Sequence, residues 1–431
     1  MNKLIFLSTI FLVNLFALEM ESSLEVKNEN ALLTNKAILQ KAVLDATLEL
    51  DFTFEDDSKI VNINRLRLDA KDKIEPGKFV NSNYSNLAKP VAIGDTGQIE
   101  LRELYYEKPI NNTTLKLGKM QTVWGKADGI KLLDKLNPQD FSEFILEDFE
   151  NSRIPLWSIS VTQSFESSLL EFLWVPDTTY HKLPKQGAAY QFSSPRVIPK
   201  AVTGINVVFV DAEKPKNIVK DADIGVRYMH SFKNLELGFY YIYAYENFPT
   251  LYQDFNSSTL TVTINPTYER SSLYGLSADY SNGNYVYRIE AALTNGKYFL
   301  NSHANRGVKQ SDEFSYIFGI DWYGLNESLV SVQLNQSYLL EFIGGFTRPE
   351  IDSTITFFYK KDLMNNTLHF ELLEIHNFDK TNGVLRPKLK YELDEETLIY
   401  TGIDIFYGNK FGLYGEFRNQ NRVLVGIEKT F

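Results

Sequence analysis

The 431-residue chain contains no cysteine, and its 44 basic residues are outnumbered by 55 acidic ones. The lack of cysteine excludes disulfide scaffolds, cysteine-ligated metal sites, thiol nucleophiles and a lipid-modified N-terminal cysteine. The net charge of −11 argues against a general nucleic-acid-binding protein. After residue 18 the chain also lacks any apolar stretch near the ~20 residues that a membrane helix needs.

The N-terminus has the pattern of a secretory signal peptide. Lys3 precedes an almost unbroken apolar run over Leu4–Phe16, and acidic sequence begins at Glu19. We therefore predict a signal peptide over residues 1–17, with a short N-terminal membrane anchor as the alternative. The exported protein is then periplasmic, secreted or an outer-membrane β-barrel.

Apolar and charged side chains alternate along several segments, as they do on the two faces of a β-strand. In 235–245 one face carries only leucine, phenylalanine and tyrosine, whereas the other includes Glu236 and Gly238. A soluble β-sandwich would also alternate, but aromatic clusters near the strand ends favour a membrane barrel with a polar lumen. The residues predicted to face that lumen are Arg227, Arg288, Glu290 and Asp321.

The C-terminal segment has the pattern of a last barrel strand. Val423, Val425, Ile427 and Phe431 fall on one face, and the final residue is aromatic. This resembles the strand by which bacterial outer-membrane barrels are recognised for insertion. An ordinary terminal strand is the alternative.

Short turns and long connections alternate along the chain, as they do in outer-membrane barrels. We predict an all-β, transmembrane antiparallel barrel of about 16 strands, with a range of roughly 14 to 18. Residues 18–42 are assigned to an N-terminal periplasmic segment, and 43–431 to the barrel with an inserted loop at 121–153. Residues 24–40 could form a strand, a short helix or a periplasmic tail.

The loop at 121–153 interrupts the β pattern. Asn137 followed by Pro138 is typical of a helix start, and Asp140 lies where a helix dipole favours an acid. Phe141, Phe144, Ile145 and Phe149 recur at helical spacing. We therefore predict a short helix whose apolar side packs on the lumen wall, so that the loop narrows or plugs the lumen.

Several short sequence elements stand in a fixed order in this region. They are Trp124-Gly125, Asp128-Gly129, Asp134, Asn137-Pro138, Asp140 and Arg153-Ile154-Pro155-Leu156-Trp157. This order resembles the signature of the bacterial outer-membrane family catalogued as domain of unknown function 1302. The resemblance implies an outer-membrane β-barrel. Some relatives are linked to uptake of hydrophobic compounds, whereas most have no established substrate.

The charged residues of the loop allow two interpretations. They could form a constriction that filters solutes by charge, or an internal salt-bridge network that holds the loop in place. Asp128, Asp134 and Arg153 are the strongest candidates for ordering the loop. The full set predicted for constriction or loop ordering is Trp124, Asp128, Asp134, Asn137, Asp140, Arg153 and Trp157.

Catalysis and metal binding have little support in the sequence, which predicts no enzyme, no metal site and no cofactor. None of the five histidines has the pair spacing of a helical metal site. His230 is followed by Ser231, but adjacent strand residues point to opposite faces. A surface phospholipase would need a serine and a histidine on a shared lipid-facing rim.

The sequence therefore predicts a Gram-negative outer-membrane channel or conduit for passive transport of small molecules, including hydrophobic compounds. A closed structural or adhesive barrel and an outer-membrane lipid hydrolase are the alternatives. The predicted partners are outer-membrane lipid, the barrel-assembly machinery and a small solute, with a periplasmic or inner-membrane transport protein left open. Nucleic acid is not a predicted partner.

Overall fold

A closed barrel of antiparallel strands makes up most of the structure. The computed structural model describes residues 19–77, 82–125, 130–200 and 203–431. Within these residues, eighteen wall strands each pair with their chain neighbours, and the last pairs with the first. The strands are β1 (Glu19–Leu33), β2 (Leu39–Thr53), β3 (Lys59–Asp69), β4 (Gly97–Ile110), β5 (Thr113–Met120), β6 (Leu156–Ser164), β7 (Ser168–Val175), β8 (Asp223–Phe232), β9 (Leu235–Tyr245), β10 (Arg270–Asn282), β11 (Tyr285–Asn295), β12 (Glu313–Trp322), β13 (Ser328–Leu339), β14 (Ile351–Leu363), β15 (Leu368–Asn377), β16 (Asn382–Glu392), β17 (Thr397–Gly408) and β18 (Arg422–Thr430).

The N-terminal boundary predicted for the barrel is wrong, because β1 already belongs to the wall. Its residues Glu25 and Leu33 lie opposite Thr430 and Arg422 of β18. One face of β1 carries Glu25, Lys27 and Glu29, which line the lumen. Because of these charged residues, the sequence of β1 resembles that of a polar periplasmic segment. The eighteen strands lie at the upper end of the predicted range. The predicted signal peptide over 1–17 lies outside the described residues and stays a prediction.

The predicted alternation of the wall strands is confirmed. On β9 the outer face is apolar, with Phe239 half exposed at 50%, whereas Tyr240 on the lumen face is only 5% exposed. The same alternation on β18 exposes Val423, Val425 and Ile427 to the outside. An apolar outer wall around a polar interior is the arrangement of barrels that stand in a lipid bilayer.

All of the long connections lie at one end of the barrel. The predicted tight turns near 55–58, 110–112, 166–167 and 233–234 each join two wall strands at the opposite end. We call the end of the barrel with the long connections the loop end, and the end with the tight turns the turn end. The connections of the loop end contain the strand Val91–Ile93, the strands Asn206–Phe209, Thr250–Asn256 and Thr261–Thr267, the hairpin Tyr298–Leu300 with Val308–Gln310, the one-turn helix Phe149–Ser152 and the 3-10 turns Asn305–Gly307 and Gly415–Phe417.

The helix predicted from Asn137 onward is wrong apart from its last turn, Phe149–Ser152. Gln139 and Asp140 instead form isolated β-bridges with Arg153 and Lys182. The reason is that the backbone here finds hydrogen-bond partners in distant segments, which a helix would leave unused.

The interior of the barrel is filled by two apolar clusters between the loops and the wall. One contains Trp124 and Leu133 packed against Tyr240 of β9. The other contains Phe144 packed against Phe406 of β17 and Tyr190 of the 176–222 connection. The predicted packing of the loop against the lumen wall is therefore confirmed.

Candidate functional site: a loop inside the lumen

The connection 121–155 between β5 and β6, here called the inner loop, crosses the lumen. On one side Trp124 lies against Gly225 of β8, where an added Cβ would come within 2.5 Å of the indole ring. On the opposite side Glu143 is ion paired with wall residues of β2, β3 and β18. The inner loop therefore joins two distant parts of the wall and obstructs the path between them.

Glu143 is the main charged anchor of the inner loop. Its carboxylate lies 2.8 Å from Arg422 Nη1, 3.0 Å from Arg67 Nη2 and 2.5 Å from Lys41 Nζ, and only 2% of its side chain is exposed. A buried carboxylate is costly unless cations and hydrogen bonds replace its hydration. Three wall cations meet that requirement. This role could not be inferred from the sequence, because the three partners of Glu143 are far away along the chain.

Glu147 adds a second ion pair on the same side of the barrel. It lies 2.5 Å from Arg67 Nη1. Burial would raise the pKa of Glu147, but Arg67 and Lys41 outweigh burial and hold that pKa below its usual range. Glu147 is therefore ionised at neutral pH, and its attraction to β3 persists there.

Wall arginines also bind the backbone of the inner loop. Arg102 of β4 donates to the carbonyl oxygens of Glu150 and Arg153, at 2.9 and 3.0 Å. Arg386 of β16 donates to the carbonyl oxygens of Ile145 and Leu146, at 3.3 and 2.7 Å. These carbonyls lack helical partners, so the guanidinium groups satisfy them.

Trp124 and Arg227, both predicted as site residues, are brought together through Glu171 of β7. The indole Nε1 donates to Glu171 Oε2 at 3.1 Å, and Arg227 Nη2 lies 2.7 Å from the same oxygen. The guanidinium carbon is also 5.5 Å from the centroid of the indole ring, a cation–π distance. Glu171 was missed because nothing in its strand distinguishes it from other lumen-facing acids.

Asp134 and Arg153 form the contact that their predicted loop-ordering role requires. Arg153 donates to Asp134 Oδ2 from Nε at 2.9 Å and from Nη2 at 2.7 Å. Lys131 Nζ lies 3.3 Å from that oxygen. Burial lowers the pKa of Lys131 to about 8. Asp128, the third residue predicted for this role, lies outside the described residues.

Asn137 joins the two ends of the inner loop rather than capping a helix. Its Oδ1 accepts from the Thr122 amide at 2.7 Å, and its Nδ2 donates to the Ile154 carbonyl at 2.9 Å. Asp140 lies 3.0 Å from Lys182 Nζ, which connects the inner loop to the 176–222 connection. Both residues make contacts different from those predicted, and their role in ordering the inner loop stays a prediction.

The remaining predicted residues lie in the wall. Trp157 of β6 packs beside Tyr84 and Ile154. Arg288 Nη2 lies 2.8 Å from Asp321 Oδ2 across β11 and β12. Glu290, also on the lumen face of β11, is 3% exposed.

His181 of the 176–222 connection packs against the inner loop. Its Nδ1 accepts the Gln139 amide at 2.8 Å. The imidazole packs on Phe141 and Phe248, with ring centroids 5.0 and 4.6 Å away. Burial, with a smaller contribution from Lys131, lowers the pKa of His181 to about 3. The ring is therefore neutral at physiological pH and can act as an acceptor.

Among the cavities that border the described part of the inner loop, two lie beside the Arg67–Glu147 ion pair. The turn-side cavity, of about 190 Å³, is bordered by Glu147 and Asp148. The loop-side cavity, of about 70 Å³, is bordered by Arg67 and Asp140. Because Arg67 is paired with Glu147, this ion pair stands between the two cavities. Charged residues of both signs line the larger one: Glu25, Lys27, Glu29, Lys41, Asp45, Arg65, Glu147, Asp148, Glu371, Arg386, Lys388, Asp404 and Arg422.

Within 19–77, 82–125, 130–200 and 203–431, no group of three or more histidine, aspartate or glutamate side chains could hold a metal ion. In the same ranges, no helix is long and apolar enough to cross a membrane.

Comparisons with known structures agree with this barrel. OccAB2 of Acinetobacter baumannii has a TM-score of 0.56 at 11% identity, covering 96% of this chain and 98% of that one. OccK3 (OpdO) of Pseudomonas aeruginosa has a TM-score of 0.55 at 12% identity, covering 96% of each chain. Pseudomonas aeruginosa OpdK with vanillate has a TM-score of 0.53 at 9% identity, covering 96% and 99%. At such identities the likeness establishes the fold alone.

The family comparison covers most of the chain. No curated protein matches it. The family described as "Protein of unknown function (DUF1302)" matches residues 28–385, well over half of the sequence. That range runs from β1 into β16 and includes the whole inner loop. The chain is thus an outer-membrane-type β-barrel that belongs to the DUF1302 family.

Proposed function

We propose that the protein is a channel of the Gram-negative outer membrane through which small, water-soluble molecules move passively. The observation that carries the proposal is the pair of charged cavities that lie on either side of the Arg67–Glu147 ion pair. Charged side chains that surround an internal space favour hydrated solutes and select them by charge. The route is narrow because the inner loop occupies the lumen.

The OpdK structure with vanillate supports a small organic solute, since a barrel of the same fold holds one there. A hydrophobic conduit, which the family resemblance also implies, has less support in this interior. Ionised groups such as Lys41, Glu147 and Arg422 line the larger cavity, and an apolar solute would strip their water without replacing it.

Single-channel recording of the purified chain in a planar bilayer tests the proposal. We expect small, steady conductance steps that grow when Glu147 is changed to Gln, because the ion pair between the cavities is then lost. Glu150→Gln is the matched control, since the Glu150 side chain is exposed and its carbonyl contact survives the change. If neither the wild type nor Glu147→Gln shows conductance steps, the channel proposal is wrong and a closed structural barrel is favoured.

The lipid-hydrolase alternative has one observation in its favour. Ser168 Oγ lies 2.6 Å from His230 Nδ1 on the outer face, so His230 meets Ser168 rather than Ser231. In the described part of the chain, no carboxylate hydrogen-bonds to this imidazole, and a serine nucleophile relies on such a group to orient its base. Ester hydrolysis by the wild type that disappears in Ser168→Ala would support this alternative over the channel.

A further inference from the structure

His369 of β15 lies between two carboxylates near the turn end of the barrel. Its Nδ1 is 2.6 Å from Asp362 Oδ1 of β14, and its Nε2 is 3.0 Å from Glu392 Oε1 of β16. Asp362 is directly opposite His369 in the register, whereas Glu392 lies two residues beyond the opposite residue Lys390. The imidazole therefore links three neighbouring strands through its two nitrogens.

The side chain of His369 points into the lumen. Glu371, two residues further along β15, borders the turn-side cavity, and residues two apart on a strand share a face. Since 15% of the His369 side chain is exposed, it can exchange its proton with the solvent. His369 therefore stands between the turn-side cavity and the turn end, beside the path proposed for the solute.

The two contacts of His369 require the charged form of the imidazole. A neutral imidazole has one N–H donor and one lone pair, whereas the charged form has two donors. Because a carboxylate oxygen faces each nitrogen, a lone pair at either position would repel an anion. The arrangement therefore holds an imidazolium and is weakened when the proton leaves.

Charged side chains of both signs surround His369 on the same three strands. Lys360 Nζ lies 3.6 Å from Asp362 Oδ1, and Lys390 Nζ lies 2.8 Å from Glu371 Oε1. In the described part of the chain, His369 is the only ion-pair partner of Glu392. We define the rim cluster by six residues: Lys360, Asp362, His369, Glu371, Lys390 and Glu392. It has three positive and three negative groups, and therefore no net charge, only while His369 is protonated.

The turns next to the rim cluster add no further positive charge. The 363–367 turn has no titratable side chain, and the 393–396 turn carries three acids, Asp394, Glu395 and Glu396. Lys429 of β18 lies 3.6 Å from Glu396. Lys361 points away from the cluster, since its ammonium group donates to the Asn326 carbonyl oxygen of another turn. A charge lost by His369 is therefore not replaced by a neighbouring cation.

We propose that His369 makes the charge selectivity of the turn-end mouth depend on pH. Histidine is the side chain whose charge ordinarily changes between about pH 5 and 8. Its proton keeps the rim cluster neutral in acidic solution. Loss of that proton leaves one net negative charge and frees the Glu392 carboxylate, and acids that line a pore favour cations. The assignment rests on the proposed channel function, because selectivity requires that ions pass the mouth.

Reversal potentials of the purified chain in a planar bilayer with a dilute KCl gradient test this assignment. Dilute salt is needed because ions screen the charge of the mouth. We expect the K⁺ to Cl⁻ permeability ratio to rise by about twofold between about pH 5 and pH 8, since one unit charge about 10 Å away in water has an effect of that order. His369→Gln should remove this rise and give the wild-type high-pH ratio throughout.

His303→Gln is the matched control, because His303 is exposed in the 297–311 connection at the loop end. It should keep the wild-type response to pH. Glu392→Gln should lower the permeability ratio at both pH values and retain the rise, since His369 still titrates. An equal rise in the wild type and in His369→Gln would overturn the assignment.

Nuclear magnetic resonance of the histidine ring nitrogens, in the detergent-solubilised and ¹⁵N-histidine-labelled chain, tests the proton site without relying on conductance. His369 should give one signal that is missing from His369→Gln and that passes from two protonated nitrogens to one as pH rises. A ring that never changes its protonation between about pH 5 and 8 contradicts the assignment. Titration without any conductance would instead reject the channel and its selectivity, and conductance that ignores His369 would reject only the present assignment.

Discussion

The Glu143 carboxylate of the inner loop lies 2.8 Å from the Arg422 guanidinium of β18, 279 residues further along the chain. The same guanidinium lies 2.7 Å from Asp404 of β17. One buried side chain therefore connects the inner loop to the pair of strands beside the closing seam of the barrel. The position of the inner loop depends on a completed wall.

Changing Glu143 to Gln should loosen the inner loop without unfolding the barrel. Three wall cations lose their shared anion, and breaking a buried ion pair from one side costs ~3–5 kcal/mol. We expect faster hydrogen exchange at the inner-loop amides and unchanged exchange in the wall strands. Glu150→Gln serves as the control, and equal exchange in both variants would show that the Glu143 cluster does not hold the loop.

Asp134 and Arg153 should be energetically coupled. Their contact uses two donors on one carboxylate oxygen, and both side chains are mostly buried. A double-mutant cycle with Asp134→Asn and Arg153→Gln should give a coupling of ~0.5–3 kcal/mol in thermal or chemical unfolding. Strictly additive effects would mean that the pair forms without contributing to loop order.

Replacing Gly225 with Val should displace Trp124. A Cβ at this position would lie 2.5 Å from the indole Cη2 and 2.9 Å from Cζ3, and overpacking a filled interior costs ~1–3 kcal/mol. We expect a shifted tryptophan emission spectrum and a lower unfolding temperature. Gly344→Ala is the matched control, because its added Cβ would meet only ordinary contacts at 3.6 Å or more. The two variants should therefore differ clearly.

His181 should make stability depend on pH in mildly acidic solution. Its pKa falls from 6.5 to about 3 on folding, so the unfolded chain binds a proton more readily than the folded one. The stabilisation is complete above pH 6.5 and is lost as pH falls from 6.5 toward 3, by up to ~1.4 kcal/mol per unit. His181→Asn retains an acceptor for the Gln139 amide but does not titrate, so its unfolding temperature should fall less steeply over this range. Parallel curves would contradict the assigned environment of His181.

The wall of the barrel could be predicted from the sequence because strand faces are a local property. Phe239 and Tyr240 point to opposite sides simply because they are neighbours, and Arg288 and Glu290 share a face for the same reason. The turns could be predicted because residues that favour tight turns separate the two alternating segments of each hairpin. The start of the wall was misplaced because one face of β1 is polar, and its place in the wall is set by pairing with β2 and with the distant β18.

The site could be predicted only in part, because its contacts join segments that are remote in the chain. The grouping of Asp134 with Arg153 was accessible, since both lie in one loop. The role of Glu143 was not, because Lys41, Arg67 and Arg422 come from three strands. The helix starting at Asn137 was wrong for a related reason: Asp140 bridges Lys182 of another connection.

The pairing of β1 with β18 also sets an order of events during biogenesis. Neither strand has its second neighbour until the other has arrived, so each presents an unpaired edge in the meantime. The seam cannot form before β18 has been synthesised. Closure of the wall therefore waits for the last of its eighteen strands, and the unpaired edges need protection from aggregation until β1 and β18 meet.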